Sequence, residues 1–252
     1  MSTSHKVALV TGAGRGIGKA CAIALLRAGW HTVFVGRRIE ALEAAIAEAG
    51  TVQAQALALS CDVTNADAVD SCFKRVKAQF GRLDLLFNNA GILGPSGTID
   101  AIPLEAWHET LAVNVEGAFL CARAAFALMK EQQPQGGRII NNGSIAAQVP
   151  RPHTVPYAMT KHAINGLTKC LALDGRPFGI ACGQIDIGNV RTEMTAPFTQ
   201  GMLQANGERK PETLFELKDV VDAVLYMANL PPEANVLNMT VIATTMPFVG
   251  RG

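Results

Sequence analysis

Lys6-Val-Ala-Leu-Val-Thr-Gly-Ala-Gly-Arg-Gly-Ile-Gly18 begins as a short apolar run, ends as a glycine-rich turn, and leads into a helical pattern from Lys19 to Ala28. Val7 to Val10 lean toward β structure, and Gly12, Gly16 and Gly18 leave the backbone free of side-chain bulk. Strand, glycine turn and helix in that order make a cradle for a pyrophosphate, because the backbone can approach the phosphates and the helix start presents unbonded N–H groups to them. The same glycines floating in a loop would read as an ordinary tight turn. The flanking strand and helix favour the nucleotide.

The pattern set by this opening repeats along the chain. Strands are predicted near 6–11, 31–36, 56–61, 83–88, 137–143, 180–187 and 238–244, and helices near 16–28, 39–49, 66–80, 104–130, 155–173 and 218–228. Such alternation calls for an α/β fold: a doubly wound parallel sheet (Rossmann fold) of about seven strands with helices on both faces, three layers in all. Thr32-Val-Phe-Val35 and Leu83-Asp-Leu-Leu-Phe87 are apolar enough for central strands covered on both sides. One domain over residues 1–252 is expected, since an α/β unit of this size commonly stays undivided. The irregular exception is a polar, breaker-rich segment from about Thr192 to Pro211, within a loop spanning about 189–215. It follows the sixth strand, where such a sheet opens its ligand crevice, and reads either as a substrate lid or as a flexible loop.

Charge and composition narrow the function. With 22 basic against 21 acidic residues, no global field attracts nucleic acid or a membrane surface. The first residues, Met-Ser-Thr-Ser-His-Lys, lack the apolar stretch of a secretory leader, and no uninterrupted apolar run approaches a membrane span. A cytoplasmic protein is expected. Cys21, Cys61, Cys72, Cys121, Cys170 and Cys182 are scattered without paired spacing, and the five histidines show no ligand pattern, so the cysteines read as core filler and no metal site is expected.

Tyr157-Ala-Met-Thr-Lys161 carries the chemistry. On a helix, residues i and i+4 are neighbours, and an ammonium about 5 Å from a phenol at an effective dielectric of about 20 stabilises the phenolate by roughly 3 kcal/mol. That is about two pKa units, enough to bring a phenol toward acid–base work near neutrality.

Thr11-Gly12-x-x-x-Gly16-Ile17-Gly18, Asp62-Val63, Asn88-Asn89-Ala90-Gly91, Asn114, Ser144 and Tyr157-x-x-x-Lys161 together resemble the ordered motif set of the short-chain dehydrogenase/reductase family, from about Lys6 to Thr192. The resemblance implies reversible hydride transfer between a nicotinamide cofactor and a carbonyl or secondary alcohol of a small molecule. Tyr157 would exchange the hydroxyl proton and Ser144 would hydrogen-bond the substrate oxygen. Lys161 would hold the nicotinamide ribose and lower the Tyr157 pKa, and Asn114 would support a water-linked proton path. Gly12, Arg15, Gly16, Ile17 and Gly18 would hold the phosphates, Asp62 and Val63 the adenine, Asn89 the adenosine ribose, and Val190 and Thr192 the carboxamide. Taken singly, Ser144 also reads as a turn cap, Asn114 as a buried amide, and Asp62 as the cap of the following helix.

Similar NAD-preferring chains carry an acidic residue after the second strand, where this one has Gly36-Arg37-Arg38. A guanidinium there can fork onto a 2′-phosphate, and Arg15 adds a second cation, so NADP(H) is favoured over NAD(H). The alternative is that Arg37 and Arg38 only begin a solvated helix.

The chain also departs from the family. Ile187 stands where a proline is usual, although Gly188 and Thr192 are kept. Asp186 is a carboxylate in an apolar strand, reaching either a substrate group or a buried hydrogen-bond partner. His153, four residues before Tyr157, borders the expected site. The apolar C-terminal segment is expected to pack on a neighbouring subunit, and the helices near 104–130 and 155–173 to form a two-fold interface of a homodimer or homotetramer. A cofactor-binding redox sensor with little turnover is the other functional class. The sequence leaves the substrate open.

Overall fold

Alternate side chains of a β-strand point to opposite faces, so strands that are apolar on both faces must be covered on both. The computed structural model describes residues 5–50 and 55–249. Its main sheet comprises β1 (Val7–Thr11), β2 (His31–Gly36), β3 (Ala56–Ser60), β4 (Leu85–Asn88), β5 (Gly137–Asn142), β6 (Ile180–Ile187) and, after a small hairpin of β7 (Met202–Leu203) and β8 (Arg209–Lys210), β9 (Asn238–Val241). The order is β3-β2-β1-β4-β5-β6-β9, parallel throughout. Winding reverses between β1 and β4, the switch point at which doubly wound sheets open a crevice.

Ala8, Val10, Phe34, Leu85, Phe87, Ile140 and Ile185 face one helical layer of α1 (Gly16–Arg27), α2 (Ile39–Ala47) and α7 (Leu217–Asn229). Their neighbours Val7, Leu9, Val33, Leu86, Ile139 and Cys182 face the other, built on α3 (Ala66–Phe80) and α5 (Gly117–Glu131), with Leu171 and Ala172 of α6 (Val155–Asp174) at its edge. Fully burying each Leu, Ile or Phe contributes about 1.5–3 kcal/mol, which holds the sheet between its two layers. The cysteines at 21, 61, 72, 121 and 182 are buried among these side chains, as filler should be, while Cys170 is exposed.

Two features differ from the sequence reading. The single helix expected over 104–130 is α4 (Leu104–Leu111), a π-type turn at Ala112–Glu116, and then α5. By length and composition alone this 28-residue stretch could cross a membrane. Here, however, Cys121, Ala125, Leu128 and Met129 of α5 are spent on the sheet core. The C-terminal segment, expected against another subunit, folds back on its own chain. Ala243 and Met246 are buried with Ile145, beside Phe215, Ile242 and Phe248, because the exit from β9 leaves an apolar recess next to it. Residues 250–252 of that segment lie outside the described residues.

Candidate active site

The C-terminal ends of β1, β2, β4, β5 and β6 open into one cleft of about 1110 Å³. Its floor at one end is the glycine turn. Gly12 and Gly16 have φ of +67° and +54°, the left-handed region that favours glycine. A Cβ on Gly18 would lie 2.3 Å from the Gly12 carbonyl oxygen and 2.4 Å from Asn89 Nδ2, so this position excludes any side chain. Thr11 Oγ1 accepts from the Asn89 and Ala90 amides at 2.9 and 3.0 Å, and Asn89 Nδ2 donates to the Thr11 carbonyl at 2.9 Å. Asn89 therefore ties the turn to β4, and Asn142 Nδ2 extends the tie to β5 at 2.9 Å.

Arg15, Ile17, Arg37, Arg38, Asp62 and Val63 line the same end. Arg15, Arg37 and Arg38 are exposed, and among the described residues none forms an ion pair. Asp62 does not cap the helix that follows. Its Oδ1 closes a turn with the Thr64 amide (3.0 Å) and hydroxyl (2.8 Å), while Asn65, three residues before the amide it receives at 3.0 Å from Ala68, caps α3. Val63 packs on Gly117, where a Cβ would approach Val63 Cγ2 to 2.7 Å.

At the other end of the cleft, Ser144, Tyr157 and Lys161 converge. Ser144 follows β5 and starts a short 3-10 turn, its Oγ accepting from Ala146 N at 3.1 Å. The turn-cap reading is thus correct as far as it goes, and the residue still faces the cleft. Lys161 is buried, with Nζ 5.6 Å from the Tyr157 ring centre and donating to the Asn142 carbonyl at 2.7 Å. Burial pulls the Lys161 ammonium down to about 8, with Asp186 opposing that shift. The sequence expects Lys161 to lower the phenol; in the protein alone, burial raises Tyr157 above its ordinary value and Asp186 adds to it, while a Ser144 hydrogen bond and the Arg151 charge pull the other way. Desolvation of the phenolate is the largest influence on it.

Asn114 sits at the centre of the π-type turn, a widening that often marks functional positions. Its amide brackets the main chain of Ile92, accepting from the N–H and donating to the carbonyl, both at 2.8 Å, and also donates to Thr160 Oγ1 at 3.1 Å. Its direct partners are therefore the loop after β4 and the helix carrying Lys161. Asp186 is itself buried and is spent on hydrogen bonds within the fold: it accepts from Ser144 N (3.1 Å), Gln184 Nε2 (2.7 Å), Gln148 Nε2 (2.9 Å) and Asn238 Nδ2 (3.1 Å). Ile187 continues β6 to a last pairing with Val241, and Val190 then forms a bridge with Phe215. Thr192, on the cleft wall, shares its hydroxyl with Thr195 Oγ1 at 3.1 Å. His153 also lines the cleft, with φ +63°.

Residues sequence reading missed hold the wall at 189–215. Arg151 Nε donates to Glu212 Oε1 at 2.9 Å and its Nη2 to Glu212 Oε2. Asn189 Nδ2 donates to Glu212, and Gln204 Nε2 does so at 3.0 Å. The Glu212 side chain is 2% exposed. Nothing in the sequence signals a pair separated by 61 positions. With Phe198 and Met202 also facing the cleft, this clasp fixes the loop as its wall.

The cleft fits a dinucleotide on its own terms: a turn whose Gly18 has no room for a Cβ, cations at one end, and, among the described residues, a buried Asn142 Oδ1 that lacks a donor. Comparison with known proteins agrees. The family model described as short chain dehydrogenase matches residues 6–203. The 3beta-hydroxysteroid dehydrogenase of Mediterraneibacter gnavus is 39% identical over 194 residues, covering 76% of this chain and 68% of the relative. Among solved structures, NAD+-bound xylitol dehydrogenase is 28% identical with a TM-score of 0.85, over 95% of this chain and 99% of that one. The alcohol dehydrogenase of Thermococcus sibiricus complexed with 5-hydroxy-NADP is 25% identical with a TM-score of 0.81, over 94% and 96%.

Proposed function

The chain belongs to the short-chain dehydrogenase/reductase family of oxidoreductases, and from that premise we propose that it moves a hydride between NADP(H) and the carbonyl or secondary alcohol carbon of a small molecule. The observation that carries this reading is the convergence of Ser144, Tyr157 and Lys161 on a cleft continuous with the Gly12–Gly18 turn. The bound dinucleotide supplies the redox chemistry; the protein supplies position and protons. Gly12, Gly16, Ile17 and Gly18 bring the main chain to the phosphates, Asp62, Val63 and Asn89 hold the adenosine, and Val190 and Thr192 orient the carboxamide. Arg37, with Arg15 beside it, takes the 2′-phosphate. Three arginines that form no ion pair among the described residues, and the absence of an acidic residue at Gly36-Arg37-Arg38, support NADP(H) over NAD(H).

Ser144 steadies the substrate oxygen, and Tyr157 gives its proton in reduction and takes it back in oxidation. Because burial holds the phenol high in the protein alone, Tyr157 is suited to donate; a positive nicotinamide beside it and the Lys161 ammonium favour the phenolate when an alcohol is to be oxidised. Asn114 fixes the loop after β4 against α6, which keeps the helix carrying Tyr157 and Lys161 in register with the cradle. An apolar groove between α4–α5 and α6, lined by Leu111, Val115, Phe119 and Ile164, is the face on which a second copy would sit in a homo-oligomer.

A screen of carbonyl substrates followed by NADPH absorbance tests the reaction. Tyr157→Phe is expected to abolish turnover while leaving cofactor affinity within a few fold. Equal turnover in the variant would overturn the role, and binding without turnover on any substrate would favour a cofactor sensor.

A further inference from the structure

Asp186 is a carboxylate with no exposed surface in a largely apolar strand, bonded to the main chain of Ser144, one of the cleft residues. Its four hydrogen-bond donors come from four places: the Ser144 main chain after β5, Gln148 in the following turn, Gln184 on β6 and Asn238 on β9. All four are neutral. Holding the Ser144 amide needs only an acceptor; a carboxylate adds a full charge, which burial makes expensive and therefore far-reaching. The packing is built around it, since a Cβ on Gly143 would lie 2.0 Å from Asp186 Oδ1.

We propose that Asp186 is a positioning residue of the active site: it fixes Ser144 on the cleft wall and ties down the turn that carries Gln148, and its buried negative charge is the counterweight to the buried Lys161 ammonium. This rests on the reading of Tyr157 and Lys161 as the proton-transfer pair. The groups that face Tyr157 are Lys161 on its own helix, Ser144 from the β5 turn, Arg151 from the loop before the helix, and Asp186 from β6; His153 lines the same cleft. Arg151, though paired with Glu212, pulls the phenol down, and Asp186 opposes it. Asp186 bears on both members of the pair: it favours the charged form of Lys161 against desolvation and the protonated form of the phenol.

The chain offers a test that needs no substrate, because it has two tyrosines and the second, Tyr226 on α7, is 57% exposed. In a Tyr226→Phe protein, phenolate absorbance reports Tyr157 alone. Adding Asp186→Asn is expected to lower its titration midpoint by about one pH unit. Asn238→Arg, on the edge strand, sets a cation that stays charged through the phenol titration beside the same carboxylate without altering residue 186, and is expected to move the midpoint in the same direction even if Asp186→Asn does not fold. A midpoint unchanged in Asn238→Arg, and in Asp186→Asn where that variant folds, would overturn the proposal. The titration is independent of turnover, so active Tyr157→Phe would sink the parent reading by a separate result.

Discussion

Glu212→Gln tests whether the wall at 189–215 is held by its one buried carboxylate. The substitution keeps size and one acceptor oxygen but removes the charge that receives Arg151, Asn189 and Gln204. Breaking a buried ion pair costs about 3–5 kcal/mol when the stranded charge cannot escape. Arg151 can partly escape: its side chain is 13% exposed, beside the Phe198 ring and facing the cleft. A loss of about 2–3 kcal/mol follows, which is a ~30- to 150-fold change in an opening equilibrium. The loss should appear locally in amide hydrogen exchange. Phe198, Gln204 and Glu212, whose amides bond within the loop to Thr195, Glu208 and Phe198, should exchange faster by that factor, while the amides of β1, β4 and β5 keep wild-type protection. Acid should reproduce the effect. Burial pushes the Glu212 carboxyl up, but hydrogen bonds from Gln204, Arg151 and Asn189 and the Arg151 charge leave it below its usual value. Its stabilisation is therefore present above the ordinary carboxylate range and lost as pH falls through the lowered folded-state value. Loop exchange identical to wild type, or acceleration spread evenly over the sheet, would refute the clasp.

Gly18→Ala is expected to weaken dinucleotide binding at least about tenfold, because its Cβ must displace the Gly12 carbonyl or Asn89. The overpacking should cost about 1–3 kcal/mol, seen as a lower melting temperature. Lys161→Met separates stability from function. With the folded ammonium at about 8 against an unfolded value near 10.4, only the unfolded chain keeps this proton between those limits, so wild-type stability gains about 3 kcal/mol relative to the variant as pH rises through that window. Denaturant titrations at pH 7.5 and pH 10 should show the difference growing, and a constant difference would contradict the depressed Lys161.

What was legible in the chain was whatever short-range pattern dictates. The strands are near-continuous apolar runs, and the expected boundaries fall within a few residues of those observed: 31–36 and 180–187 match, while the expected 83–88 begins at Leu85 because Leu83 and Asp84 belong to the turn before it. Glycine spacing and the Tyr157–Lys161 interval placed both ends of the cleft, since each depends on local geometry. What depends on distant partners was not legible. Asn114 shapes the middle of a helix through Ile92, and Arg151 finds Glu212 across 61 positions. The C-terminal segment looked like an interface because its apolar residues have no partner nearby in sequence; the recess around Ile145 that receives them exists only after folding. Asp186 stood out as misplaced in an apolar strand, but its four donors come from three further segments besides its own strand. The upward shift of Tyr157 in the protein alone is hidden for a related reason, since spacing reveals a neighbouring charge and not the desolvation around it.

Fluorescence titration with NADPH and NADH, on wild type and Arg37→Ala, tests the central claim most directly, because it asks whether the cleft is built for a 2′-phosphate before any substrate is known. A charge-assisted forked contact contributes about 1.5–3 kcal/mol, so NADPH affinity should fall at least about tenfold in the variant while NADH affinity barely changes. NADH binding as tightly as NADPH in the wild type, or NADPH affinity indifferent to Arg37, would contradict it.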